Sequence, residues 1–244
     1  MNSNKLSNSI ADISVQKTAI VAGFLYFIYL IIQIVGDLFG YSRFIVWGDA
    51  VATANNIMGS TWLFRISFIS DIIAAVFFLL AAFALYMLLK PVNKNIALLF
   101  LLLNLGGVAI QCINALNLFA ALQLLSGASY LSVFNASQLQ ALAMFFLNLH
   151  KNGFMIAQIF YGLWPLPLGY LVYKSGFLPK ILGTLLMIDC FGVMIWFLQY
   201  FLFPGYEVIT YPGLAISFIA EVGLTLWLLI KGVKYQKSAF IETS

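Results

Sequence analysis

The chain has 244 residues, 63% of them hydrophobic and 8% charged, with a formal net charge of +4. Soluble domains carry about 25% charged residues, so this composition excludes a water-soluble globular fold and leaves the bilayer as the main solvent. A spanning helix takes about 20 apolar residues, so the length allows six or seven spans and no soluble domain beside them; the small, scattered positive charge excludes nucleic acid as a partner.

Six helices account for the sequence in order. A polar tail over residues 1–17 carries Lys5 and Lys17, and the first span runs from about Lys17 to Leu38. Its apolar run, Thr18 to Gly36, is longer than a signal-peptide core of about 7–15 residues, and no A-x-A-like site follows, so it reads as an uncleaved span. Gly40 to Thr61 is a polar outer loop in which Asp49 is placed to cap a short helix. The second span, Trp62 to Leu89, stops at Lys90-Pro91, because proline cannot continue a helix. The third starts after Asn93-Lys94-Asn95 and lasts to about Leu125, followed by a turn-rich loop from Ser126 to Ser137.

The fourth helical region, Gln138 to Lys174, is too long for one crossing: at ~1.5 Å per residue it reaches about 55 Å against a core of about 30 Å. Its membrane part is expected over Gly153 to Tyr173. Gln138 to Asn152 then forms an outer extension or a separate helix broken at Asn152-Gly153, protruding beside the equally overlong third helix. Ser175-Gly176 closes the region with Gly176 as a left-handed cap, and Pro179 suits the first turn of the fifth helix. The fifth ends near Phe203, before Pro204-Gly205. Thr210 is placed to cap the sixth, which carries Pro212 in its first turn and ends near Lys231. The expected organisation is an all-α polytopic membrane protein: the tail over 1–17, one six-helix domain over 18–234, and a second tail over 235–244.

Charge fixes the expected orientation. Lys5, Lys17, Lys90, Lys94, Lys174, Lys180, Lys231, Lys234 and Lys237 fall on one side, and Arg43, Arg65 and Lys151 on the other. This positive-inside bias puts both termini in the cytoplasm, as a multi-pass protein of the cytoplasmic (inner) membrane. Trp47, Trp62, Tyr206 and Tyr211 then lie at the outer interface, and Tyr86, Tyr173, Trp227 and Tyr235 at the inner one, as anchors. Cys112 and Cys190 differ in depth by about 12 Å, beyond the ~7 Å between Cα atoms that a disulfide tolerates; both read as small apolar residues.

Four segments carry a resemblance. They are GDAVATANNIMGSTWLFRISFISD (Gly48–Asp71), ALYMLLKPVNKN (Ala84–Asn95), LHKNGFMIAQIFYGL (Leu149–Leu163) and GYLVYKSGFLPKILG (Gly169–Gly183). Together the chain, roughly from Lys17 to Lys234, resembles the bacterial membrane-protein family catalogued as domain of unknown function 4386. The resemblance implies an integral membrane fold of about this size and transfers no functional residue.

Two constellations bear on chemistry. Toward the outer surface, Asp71 lies ~28 Å from the inner interface, Arg65 further out, and His150 ~36 Å out. An Asp71–His150 pair offers a general base with its orienter, and Arg65 an anion clamp. The plainer alternative makes Arg65 an interfacial anchor, Asp71 its partner and His150 a solvated loop residue. One histidine and two separated cysteines do not supply the ligands of a zinc site, so no metal is expected.

The second constellation lies at mid-depth. Asp189 is nine residues from Lys180, Glu221 ten from Lys231, Asn104 ten from Lys94, and Trp164-Pro165 with Pro167 about ten from Lys174. No lysine or arginine shares that layer. Intramembrane acids are costly, face the bundle interior or water, and mark functional sites. A proline-broken helix frees carbonyls for a cation or polar ligand. The alternative is that the acids fix helix packing. Asn104, Gln111, Asn114 and Asn117 form a polar stripe on the third helix that reads as helix glue, with cavity lining as the other option.

There is no Walker loop, dinucleotide fingerprint, H-E-x-x-H or G-x-S-x-G motif, so no cofactor is expected. The leading expectation is a non-enzymatic, transporter-like or ligand-binding membrane protein taking a small polar or cationic ligand through Asp189, Glu221, Asn104 and Trp164. The alternatives are a membrane enzyme acting on a lipid or envelope substrate through Asp71, His150 and Arg65, or a structural accessory subunit. Oligomeric state is not encoded in any feature of the chain.

Overall fold

Local chemistry sets each helix boundary. The computed structural model describes the backbone of residues 3–233 and the side chains of residues 15–36 and 38–233. Lys234 and the tail expected over 235–244, with Tyr235 and Lys237, lie outside the described residues. The first helix, α1 (Ser3–Phe39), is followed by a short 3-10 turn, Tyr41–Phe44. In α2 (Ala50–Gly59), Asp49 Oδ1 accepts the Ala52 N–H at 2.8 Å, as an N-cap does. Next, α3 (Thr61–Leu89) stops at Lys90-Pro91, and Asn93 Oδ1 caps α4 (Lys94–Asn114) by accepting from Asn95 and Ile96 N–H at 3.1 Å each. A turn at Ala115 separates α4 from α5 (Leu116–Leu124).

In the fourth region one of the two readings is overturned, the separate helix broken at Asn152-Gly153, while the proline break expected at Trp164-Pro165 is present. Helix α6 (Ala136–Leu163) runs without interruption through Asn152-Gly153, and the break falls at Trp164, before α7 (Pro165–Lys174). Glycine in a membrane helix loses little, because no water competes for its backbone. Pro165 and Pro167, by contrast, carry no N–H to give to the carbonyls of Tyr161 and Leu163. The start of α6 is a reciprocal cap: Asn135 Oδ1 accepts from Gln138 N at 2.9 Å, and Gln138 Oε1 accepts from Asn135 N at 3.0 Å.

The remaining helices are α8 (Lys180–Leu202) and α9 (Tyr211–Ile230). Gly176 has φ +71° and closes α7, as expected of a left-handed cap. Pro179 stands at the N-cap of α8 rather than inside its first turn. Thr210 is the N-cap residue of α9, but its hydroxyl donates backwards to Glu207 O at 2.7 Å and caps nothing. Pro212 lies in the first turn.

Among the described residues all regular structure is helical, and six segments are long and apolar enough to cross a membrane: Val15–Phe44, Thr61–Leu89, Lys94–Leu124, Ala136–Lys174, Lys180–Leu202 and Glu207–Ile230. This is the architecture of a multi-pass membrane protein. Both cysteines are free thiols. At helix ends, lysines lie over aromatic rings, Lys180 over Tyr173 at 5.5 Å and Lys90 over Tyr86 at 6.0 Å, and within α6 Lys151 lies over Trp47 at 4.9 Å.

Contacts divide the chain into two units. The first comprises residues up to 27, 78–107 and from 158 on. Its helices meet backbone to backbone at glycine. A Cβ on Gly169 of α7 would stand 2.6 Å from the Gly183 carbonyl oxygen of α8, and one on Gly192 of α8 would stand 2.7 Å from Gly213 Cα of α9. Lipid offers no hydrophobic drive between helices, so close van der Waals approach through small residues holds them. The second unit comprises residues 28–77 and 108–157. Its core gathers Ile57 of α2, Phe64 of α3, Leu118 and Leu122 of α5, and Ala143 and Leu147 of α6.

Candidate functional site

The mid-depth residues converge inside the first unit. Asp189 is fully buried on α8, and neither carboxyl oxygen has a hydrogen-bond partner. Glu221 is half-buried on α9, within electrostatic reach of Asp189. Its Oε2 accepts a 2.8 Å hydrogen bond from the Tyr26 hydroxyl on α1. One turn before Glu221, the Ser217 hydroxyl approaches Asp189 without completing a hydrogen bond. One turn after it, the buried Thr225 hydroxyl donates to the Glu221 backbone carbonyl at 2.8 Å. Two acids so placed repel each other when both are ionised, and a cation between them would relieve that repulsion.

Tyr26 joins this pair to a second group. Its ring, 1% exposed, packs on Phe78 at 5.7 Å and on Trp164 edge-on at 6.5 Å. Trp164 also meets Phe78 at 5.5 Å and Phe100 at 5.8 Å. These four rings and Asn104 border one narrow void. Asn104 is fully buried, and both atoms of its side-chain amide lack a partner. Four of the expected residues, Asp189, Glu221, Asn104 and Trp164, therefore belong to one continuous neighbourhood. Tyr26, Phe78 and Phe100 complete it and were not expected. A signal for Tyr26 existed: it lies nine residues from Lys17, the same depth as Asp189 from Lys180.

The outer constellation has a different arrangement. His150 is 4% exposed on α6, not a solvated loop residue. Its Nδ1 lies 3.2 Å from both the Asn114 side-chain nitrogen and the Asn114 carbonyl oxygen, so either tautomer finds a partner there. Asn114 Nδ2 donates to the His150 carbonyl at 2.8 Å, and Asn117 Nδ2 donates to Asn114 Oδ1 at 3.0 Å. Tyr41 meets the imidazole edge-on at 4.9 Å. Gly153, one turn after His150, leaves room for the Asn114 side chain against α6. Asn114 and Asn117 thus serve as helix glue, whereas Asn104 borders the void. Arg65 is exposed and lines a pocket of about 140 Å³ with Phe64, Phe68 and Phe119, to which neither Asp71 nor His150 contributes. Asp71 is half-buried on α3. No group of three or more His, Cys, Asp or Glu capable of holding a metal occurs among the described residues.

Comparison with known proteins assigns the family. The family described as "Domain of unknown function (DUF4386)" matches residues 21–232. The chain belongs to that family. A protein of Archaeoglobus fulgidus, described as uncharacterized, is 34% identical over 153 residues, which are 63% of this chain and 75% of the relative. No solved structure matches the chain.

Proposed function

We propose that this DUF4386 member is a non-enzymatic, transporter-like or ligand-binding protein of the cytoplasmic membrane, with a midplane acidic site for a small polar or cationic ligand. The observation that carries the reading is the fully buried, unpartnered Asp189 within electrostatic reach of Glu221, itself tied to Tyr26 at 2.8 Å. A buried carboxyl with no partner destabilises the fold, and such a group persists where function needs it. Asn104 and Trp164 supply the neighbouring polar and aromatic surface. The nine-to-three distribution of basic residues supports cytoplasmic termini. On that orientation the surplus length of the third and fourth helical regions extends on the outer side. The alternative chemistry through Asp71 and His150 draws less support, because the imidazole Nδ1 is engaged by Asn114.

The test is ion-coupled uptake in proteoliposomes under imposed proton or sodium gradients, with a panel of small cations. Wild type is expected to carry flux that Asp189→Asn and Glu221→Gln both lose. Equal, background-level flux for all three would overturn the reading.

A further inference from the structure

Resting on that reading, the identity of the ligand follows from the walls of the void. We propose that the site takes a small alkylated ammonium cation, held by the faces of Tyr26, Phe78, Phe100 and Trp164, with Asn104 as its polar contact and Glu221 and Asp189 as its counter-charge.

Charge, polarity and hydration narrow the ligand. An anion would meet two acids, and no lysine or arginine lies in this layer of the sequence. A neutral apolar guest would leave the Asn104 amide as unsatisfied as it is now. A hard cation such as sodium exchanges its water shell for several oxygen ligands, and around this void Asn104 stands among aromatic and aliphatic side chains. An alkylated ammonium is weakly hydrated, so it gives up little on entering a dry site. Its charge is spread over methyl groups that aromatic faces attract, most strongly the indole of tryptophan. Glu221 reaches the cage through the Tyr26 hydroxyl, whose ring forms one wall. The carboxylate thus stands at the hydroxyl end of one cage wall, with no direct contact between carboxylate and alkyl groups.

Access is built into the same residues. The void is too narrow for a water-sized sphere, so the rings must part before anything enters. Trp164 is the ring that touches the other three. It sits between α6 and α7, where Pro165 and Pro167 withhold two backbone donors. The hub of the cage is therefore mounted where its helix is least braced.

Equilibrium dialysis of the detergent-purified full chain against radiolabelled choline tests the proposal. The neutral isostere 3,3-dimethylbutan-1-ol serves as competitor, radiolabelled sodium as a parallel probe, and melting temperature as the measure of folding. Wild type is expected to bind choline saturably, with no displacement by a tenfold excess of the alcohol. Glu221→Gln, Asp189→Asn and Trp164→Leu should each weaken binding roughly five- to thirtyfold, the range of a desolvated cation–π or charge contact. Trp164→Phe keeps a ring and should retain most of the affinity, which keeps the test decisive if the leucine variant does not fold. Equal competition by the alcohol would overturn recognition by charge. Sodium binding that depends on both acids, with no choline bound, would overturn the ammonium assignment and leave the midplane site standing. Binding of neither probe by wild type that melts cooperatively, with no change of its melting temperature when a probe is present, would overturn both.

Discussion

Asp189 is where stability and function pull in opposite directions, and Asp189→Leu measures the conflict. Both carboxyl oxygens are buried without a partner, and a second acid lies within electrostatic reach. An unsatisfied buried polar group costs about 1–3 kcal/mol, and leucine fills a similar volume with no polar atom. The substitution is therefore expected to stabilise the fold by roughly 1–3 kcal/mol, an inference from the orphaned oxygens alone. For a chain of this length each kcal/mol moves the melting temperature by about 2–4 °C, so a rise of roughly 2–12 °C is expected. Circular dichroism melts in detergent, wild type against variant in one buffer, give the shift, and choline dialysis on the same samples gives the loss of binding. A fall in melting temperature of the same size would refute the reasoning, because it would make Asp189 a structural contact and not an acid kept at the fold's expense.

Five substitutions probe other contacts. Tyr26→Phe and Glu221→Gln, combined in a double-mutant cycle, should show a coupling of about 0.5–1.5 kcal/mol from their 2.8 Å hydrogen bond, and zero coupling would contradict it. Gly213→Leu places a Cβ 2.6 Å from Gly192 Cα and should lower the melting temperature by at least several degrees, an overpacking cost of about 1–3 kcal/mol; an unchanged melt would remove that crossing from the packing account. Asn114→Ala deletes the 2.8 Å bond to the His150 carbonyl and should cost about 0.6–1.7 kcal/mol while leaving choline binding intact, as dialysis would show. Gly176→Ala forces a side chain onto φ +71° and should cost about 1 kcal/mol, read as a small loss in melting temperature with no change in binding.

What could be read from the sequence was what the bilayer prices most heavily. Asp189 and Glu221 stood out because a charge at mid-depth has no water to fall back on, and counting from the flanking lysines put them at one level. The same logic located Asn104 and the Trp164 break. Capping at Asp49 and the closure at Gly176 were also legible, because both depend on residues adjacent in the chain. Tyr26, Phe78 and Phe100 escaped because aromatic residues are common in spans and nothing singles these three out; their role depends on which helix face meets which, and that is a tertiary fact. His150 was misjudged for a related reason. Its burial follows from Asn114, 36 residues away, and from a glycine that lets the two side chains close. Of the two candidate breaks in the fourth region, Asn152-Gly153 and Trp164-Pro165, only the second interrupts the helix, because glycine only weakens a helix whereas proline removes its donors.

The segment that most marks the family resemblance, GYLVYKSGFLPKILG, has a structural explanation for each of its main features. Gly169 and Gly183 let α7 and α8 touch backbone to backbone. The Ser175 hydroxyl donates to the Val172 carbonyl at 2.8 Å and accepts the Leu178 N–H at 3.1 Å, holding the turn. Gly176 reverses the chain and Pro179 starts α8. These packing and turn features also bear on the acid site through α8. Asp189 follows Gly183 by six residues and precedes Gly192 by three. The helix is thus fastened by a backbone contact to α7 on one side of Asp189 and to α9 on the other. The two crossings set the rotation of α8 and with it the face that carries Asp189, toward Glu221 and Ser217 of α9. On this view the hairpin signature and the buried acids are one design: the first supplies the rigidity that keeps the second in place.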